Sequence, residues 1–228
     1  MVRPTSEDAI TSQLFSSLKC INPRWWLPDF LNAALGVGRF RRQIYRCLSI
    51  DLWVRQKGVP TNLVPWNEGQ TEVDVVVKWE NPPTTVFIEM KYGSPLSKNT
   101  ADSKKQLKYP TDQLIRNIRI GLWKCDWYSE QRLFEAPPRD FYTILFSPRS
   151  GNELVERYKS NENIRKAIPN SDRLVGLPGE PFVGEVTFQQ LRNFLRANAE
   201  KLSWSERSNA KLLDDYLDFK LSQHKRDR

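Results

Sequence analysis

At 228 residues the chain suits one domain of ordinary size, or a core domain with an appended helical piece, and can bury a sizeable hydrophobic core. Three widely spaced cysteines, Cys20, Cys47 and Cys125, exclude a disulfide framework and a paired-cysteine zinc site, and a single histidine, His224, excludes chemistry that needs two or more, or a Ser-His-Asp hydrolase. Lys and Arg exceed Asp and Glu by 35 to 27, a formal charge of +8 that favours a polyanionic partner, nucleic acid first, and the lack of further histidines leaves catalysis to carboxylates and lysine.

In chain order, the first predicted element is a helix from Ser6 to Lys19. Thr5 or Ser6 can cap it, Glu7 and Asp8 suit its positive end, and Ile10, Leu14, Phe15 and Leu18 form one apolar stripe. Glu7 lies one turn before Ile10, on the inward side. Residues 22–38 read as loops around a short helix at Asp29–Leu35, given Pro23, Pro28, Gly36 and Gly38. Residues 38–56 then read as a helix with Phe40, Ile44, Tyr45 and Leu48 inside and Arg39, Arg41, Arg42 and Arg46 on a cationic face able to hold phosphates.

Beyond Asn62 the period changes to two. TEVDVVVKW (71–79) and TTVFIEMKY (84–92) are predicted neighbouring antiparallel strands joined by the turn-forming ENPP. A polar, basic connection at Lys98–Lys108 leads to a helix opened by Thr111 or Asp112, running through Leu114, Ile118 and Leu122, and closed near Gly121. DFYTILFSP reads as a further buried strand, followed by a helix at Glu153–Ala167, turns at Gly176–Pro181, and helices at Thr187–Ala199 and Ser205–Leu221. The eight tryptophans can stack on bases, but they read first as core residues.

The chemistry is carried by charges that interrupt two apolar strands. Glu89 and Lys91 are two apart and emerge from one strand face, while Val86, Ile88 and Met90 fill the other. Asp74 breaks the run Val73 to Val77 in the same way. A carboxylate and an ammonium on an apolar strand cost desolvation energy, which a fold accepts mainly where something binds or reacts. The plain structural alternative is an edge-strand Glu89–Lys91 ion pair with Asp74 facing solvent. Two interrupted strands joined by one turn favour a site. If the strands pair, Asp74 and Glu89 make a two-carboxylate seat for a hard divalent ion such as Mg²⁺, which would lower the pKa of a bound water and offset charge on phosphorus. Lys91 would orient the attacking water and stabilise the transition state, or act as base if desolvation lowers its pKa.

These residues resemble the PD-(D/E)xK, or restriction-endonuclease-like, nucleases in motif and order. The matching positions are Glu7 on the preceding helix, Asp74 on one strand, Glu89-x-Lys91 on the next, and Gln113 opening the following helix. Val73 stands where the motif's name has proline, and Asn117 where related helices often carry an aromatic. The resemblance covers about Ser6 to Pro148. It implies an α/β fold with a central mixed sheet of four to five strands flanked by helices, a nuclease core at 1–150, and a mainly helical C-terminal extension at 151–228 packed on the same domain. It also implies a Mg²⁺-dependent (or Mn²⁺-dependent) deoxyribonuclease, expected to be an endonuclease. Asp74, Glu89, Glu7 and the Met90 carbonyl would be metal ligands, and Asp74, Glu89, Lys91, Glu7 and Gln113 catalytic residues. DNA is expected over RNA, with a homodimer or a partner protein as routes to target delivery. The alternative is a catalytically inactive nucleic-acid-binding or assembly module of a defence or mobile-element system. No run of roughly 18 apolar residues and no secretory leader pattern is present, so a cytoplasmic location without membrane partners is expected.

Overall fold

A computed structural model describes residues 6–97, 109–129 and 137–226. Helix α1 (Glu7–Lys19) begins where Ser6 Oγ accepts the Ala9 amide, and buries Ile10, Leu14, Phe15 and Leu18, the expected stripe. Helix α2 (Leu27–Leu35) has Pro28 in its first turn and ends at Gly36, whose φ of 63° is the left-handed cap that glycine adopts at low cost.

Five strands follow: β1 (Arg46–Gln56), β2 (Thr71–Glu80), β3 (Thr84–Met90), β4 (Asp140–Ser147) and β5 (Val183–Thr187). They form one sheet in sequence order, with β1, β2 and β3 antiparallel and β3, β4 and β5 parallel. Each parallel pair needs a crossover, supplied by α3 (Gln113–Lys124) between β3 and β4, and by α4 (Glu153–Tyr158) and α5 (Asn161–Ala167) between β4 and β5. Helices α6 (Phe188–Ala197) and α7 (Trp204–Arg226) complete the chain.

Strand alternation sorts the helices into two outer layers. Phe87 and Phe141 meet edge to face at 5.2 Å beneath α3, where Gly121 lies against the Phe141 ring. On the other face, Phe146 packs against Phe15 of α1, Phe30 of α2 and Phe188 of α6. Covered on both sides, β3 is buried at every residue, as parallel sheets require. The protein is thus α/β, with a five-stranded mixed sheet between helical layers. Among the described residues, no helix is long and apolar enough to cross a membrane.

Several expected elements differ. Residues 38–56 are not a helix: Arg39–Arg42 form a short 3-10 turn and Arg46–Gln56 form β1. Leu48, Ile50, Leu52 and Val54 recur every second residue, and pairing with β2 favours that period over the helical one. The helix at 113–124 runs past Gly121, where the missing Cβ makes room for Phe141 instead of ending the helix. The segment 153–167 splits into α4 and α5 around Lys159 and Ser160, with Ser160 capping the second. Strand β5 lies beyond residue 150 and pairs with β4, so the sheet crosses the expected boundary between core and helical extension. The expected connection at Lys98–Lys108 lies outside the described residues.

Candidate functional site

The site sits where β2 and β3 meet the start of α1 and α3. The β2–β3 register pairs Val75 with Ile88 and Val76 with Phe87, so one further step sets Asp74 across from Glu89. Opposed like charges in a sheet oppose folding unless something compensates them. Here Asp74 Oδ2 accepts the Met90 amide at 2.7 Å, and Glu89, fully buried, accepts from three side chains. Lys91 Nζ reaches Glu89 Oε1 at 2.8 Å, Gln113 Nε2 reaches the same oxygen at 2.5 Å, and Asn117 Nδ2 reaches Oε2 at 3.1 Å. Gln113 and Asn117 are four apart and share the inward face of α3.

Glu7 enters from the first turn of α1. Its Oε2 pairs with Lys91 Nζ at 3.3 Å, and its Oε1 accepts the Tyr92 amide at 2.9 Å and the Ser94 hydroxyl at 2.8 Å. Both oxygens are therefore engaged by the segment leaving β3. Glu7 fixes Lys91 and the turn behind it, and lies one step removed from the Asp74–Glu89 pair.

Proton affinities follow from this crowding. Burial first, and Asp74 second, push the Glu89 carboxyl up to about 7, against the pull of Lys91 and Asn117. Burial also raises Asp74, although the Met90 amide and Lys91 oppose it. For Lys91, burial alone would lower the pKa, but Glu89, Glu7 and Asp74 outweigh it and hold the ammonium form. Burial would raise Glu7, yet the Tyr92 amide, the Ser94 hydroxyl and Lys91 bring it below its ordinary value. Three carboxyl groups thus face one lysine, an excess of acid that a divalent cation would relieve.

The donor set fits such a cation in a limited way. Among the described residues, no group of three or more His, Cys, Asp or Glu side chains is arranged to hold a metal ion. An ion here would rest on Asp74, Glu89, the Met90 carbonyl and water, an all-oxygen set of the kind Mg²⁺ accepts, since that ion keeps several waters. Asn117 Oδ1 is buried with no hydrogen-bond partner among the described residues.

The four arginines expected as a phosphate-binding face do not gather at this site. Arg39 donates to the Tyr142 hydroxyl at 2.5 Å, on the opposite face of the sheet from Glu89. Arg41 pairs with Asp29 of α2 at 2.8 Å, and Arg42 belongs to the same 3-10 turn. Arg46 sits opposite Glu80, six residues along β2 from Asp74, or about 20 Å at strand rise.

Three residues enter that the sequence did not single out for the site. Asn117, noted in the sequence only as a departure from the resemblance, donates to Glu89. Trp53 falls opposite Asp74 when the β1–β2 register is followed, at φ 51°, an uncommon conformation for a bulky side chain. His224 of α7 joins Lys91 in lining a cleft of about 330 Å³, with its ring 5.5 Å from that of Tyr92. Only Asn117 had a sequence signal, its spacing of four from Gln113.

No family model matches the chain, and no curated protein or solved structure matches it at a significant level.

Proposed function

We propose that the chain is a metal-dependent nuclease of the PD-(D/E)xK kind, hydrolysing phosphodiester bonds in DNA. One observation carries this reading: two carboxyl groups face each other across adjacent strands, with Lys91 Nζ 2.8 Å from the buried Glu89. The element order supports it, with Glu7 on the leading helix, Asp74 on β2, Glu89 and Lys91 at the end of β3, and Gln113 in the first turn of the crossover helix. A bound Mg²⁺ or Mn²⁺ would supply a Lewis acid for the phosphoryl oxygen and an acidified water.

The chain's own residues take the remaining tasks. Lys91, held protonated by its three acidic neighbours, orients the attacking water and offsets charge growing on phosphorus; the raised pKa argues against a role as general base. Gln113 and Asn117 fix the rotamer of the Glu89 carboxyl group. Glu7 ties the Lys91 ammonium to the start of α1, which makes it a positioning residue.

A second reading has its own observation: Glu89 already receives three side-chain donors, as a structural network would arrange. It describes a nucleic-acid-binding module without turnover. The deciding assay incubates the protein with supercoiled plasmid, linear duplex, single-stranded DNA and RNA, in Mg²⁺, Mn²⁺ or EDTA. Cutting is expected in either metal and not in EDTA, with Lys91→Ala slower by about 100-fold or more and Asp74→Ala similarly impaired. Binding without cutting under every condition would move the chain to the second reading. Cutting that ignores EDTA and both substitutions would remove the site from the mechanism.

A further inference from the structure

The cleft beside Lys91 opens at the C-terminal ends of β3 and β4, the position where α/β sheets bind ligands. Its walls are the segment after β3, the end of β4 with the segment that follows it, and His224 from α7. Among the described residues no Asp or Glu lines it, although Glu7 lies just behind, holding the Tyr92 amide and the Ser94 hydroxyl. Lys91, Arg149 and His224, whose side chains carry nitrogen, line it from three separate parts of the chain. Arg149 forms no ion pair, and the His224 ring no hydrogen bond, with any described residue. A guanidinium and an imidazole without an ionic partner among the described residues suit an anion, while the carboxylates beyond Lys91 oppose one unless a cation sits on them.

The surrounding groups narrow the ligand further. The Ser147 hydroxyl donates to the Arg149 carbonyl at 2.5 Å, and Glu185 takes the Gly151 and Asn152 amides, so the loop after β4 is braced before any ligand arrives. Tyr92, Leu96, Leu145 and Pro148 add apolar wall. A volume near 330 Å³ lies at the small end of ligand sites, enough for one phosphate with its sugar and too little for a duplex. Leu145 is the neighbour of Glu89 in the β3–β4 register, so the cleft adjoins the carboxylates directly and shares Lys91 with them.

We propose that this cleft is a one-nucleotide subsite that holds the phosphate next to the scissile bond through Arg149 and His224, with Lys91 at the boundary between the two phosphates. The proposal rests on the nuclease reading above and adds to it a path for the strand: across Lys91, toward α7. It also gives the only histidine of the chain a place at the substrate.

That single histidine makes the test selective, because one imidazole yields one set of ring resonances. The full chain in EDTA, where no turnover occurs, is titrated with the 5′-phosphorylated thymidine dinucleotide, with inorganic phosphate and with thymidine, while the His224 ring is followed by NMR. The dinucleotide should move the ring signals saturably, inorganic phosphate only at higher concentration, and thymidine not at all. Arg149→Gln should weaken dinucleotide binding about tenfold, the cost of losing a charge-assisted contact. His224→Asn should weaken it by calorimetry with the chain still folded. Unmoved ring signals, or parent-like affinity in both variants, would overturn the subsite. Equal affinity for inorganic phosphate and the dinucleotide would overturn its assignment to nucleic acid. Cutting in Mg²⁺ without a His224 response would remove the subsite alone; a saturable response without cutting under any condition would remove the nuclease reading and leave a phosphate-binding cleft.

Discussion

Glu89 is fully buried, faces Asp74 across the sheet, and has its carboxyl group pushed up to about 7, by burial first and Asp74 second. In the unfolded chain it releases its proton near 4.5. A carboxyl raised on folding contributes stability that is complete below the unfolded value and is lost as pH rises through the folded one. Asp74 is shifted in the same direction. In EDTA, Glu89→Gln should therefore gain on the parent in Tm as pH climbs from about 5 to about 8, and Mg²⁺ at the upper end should raise the parent's Tm and leave the variant's unchanged. Parallel Tm curves for the two proteins would show that Glu89 carries its charge without strain. Asp74, Glu89 and Lys91 were legible in the sequence because each breaks an apolar strand, a local signal that burial explains. Glu7 had a local signal in its place on the inward side of the first helix and took its role from the resemblance, as Gln113 did, and the structure brings both to the cluster, Glu7 through Lys91 and Gln113 through Glu89. His224 was not legible, because it meets Tyr92 from a helix 132 positions further along the chain, and no local pattern encodes that contact.

At the scale of elements, the legible parts were those with one dominant period. Helix α1 and strands β2 to β4 have it, and they appear where expected. The segment 38–56 holds two periods, since its arginines and aromatics fit a helix and Leu48, Ile50, Leu52 and Val54 fit a strand; the backbone partner offered by β2 decides between them. Strand β5 has only five residues, one of them Gly184, where an added Cβ would meet the Ala34 carbonyl oxygen of α2 at 2.0 Å. Its β character comes from pairing with β4 and from this close approach, neither of which is local. Gly121 teaches the same lesson on α3. A Cβ there would fall 1.8 Å from the Phe141 ring, which is wedged against Phe87 and cannot swing aside. Although alanine favours helix over glycine by about 1 kcal/mol, overpacking should win, and Gly121→Ala should cost about 2 kcal/mol net, a Tm drop of roughly 4–8 °C by calorimetry. Phe141→Leu in the same chain should recover part of the loss, since it removes the atoms that clash. An unchanged or raised Tm in Gly121→Ala would mean that α3 can lift from the sheet at little cost.

For the molecule as a whole, the question is whether residues 1–150 form a unit that the remainder merely decorates. The packing argues that they do not. Without residues beyond 150, β4 would become an edge strand, exposing the backbone groups that pair with β5. Phe146 would lose Phe188, its ring neighbour at 4.9 Å, and Tyr92 would lose both the Phe188 ring stacked on it and the Lys220 carbonyl that its hydroxyl meets at 2.8 Å. Tyr92 directly follows Lys91, so these losses reach the candidate site and not only the periphery. Helix α7 is further pinned to α6 by Asp214, which receives Arg192 and Arg196, so the C-terminal segment is a braced cover and not a loose tail. Each exposed aromatic forfeits about 1.5–3 kcal/mol of burial, and a few such losses match the whole stability of an ordinary domain. A fragment ending at residue 150 should therefore show no cooperative thermal transition, poor amide dispersion in a ¹H–¹⁵N spectrum, and no cutting in Mg²⁺. Adding the 151–228 peptide in trans should restore dispersion at least in part, because the two pieces meet along β4 and β5. A fragment that melts cooperatively and keeps the parent's dispersed spectrum would instead make residues 1–150 an independent domain, with β5 a strand added to a sheet already complete.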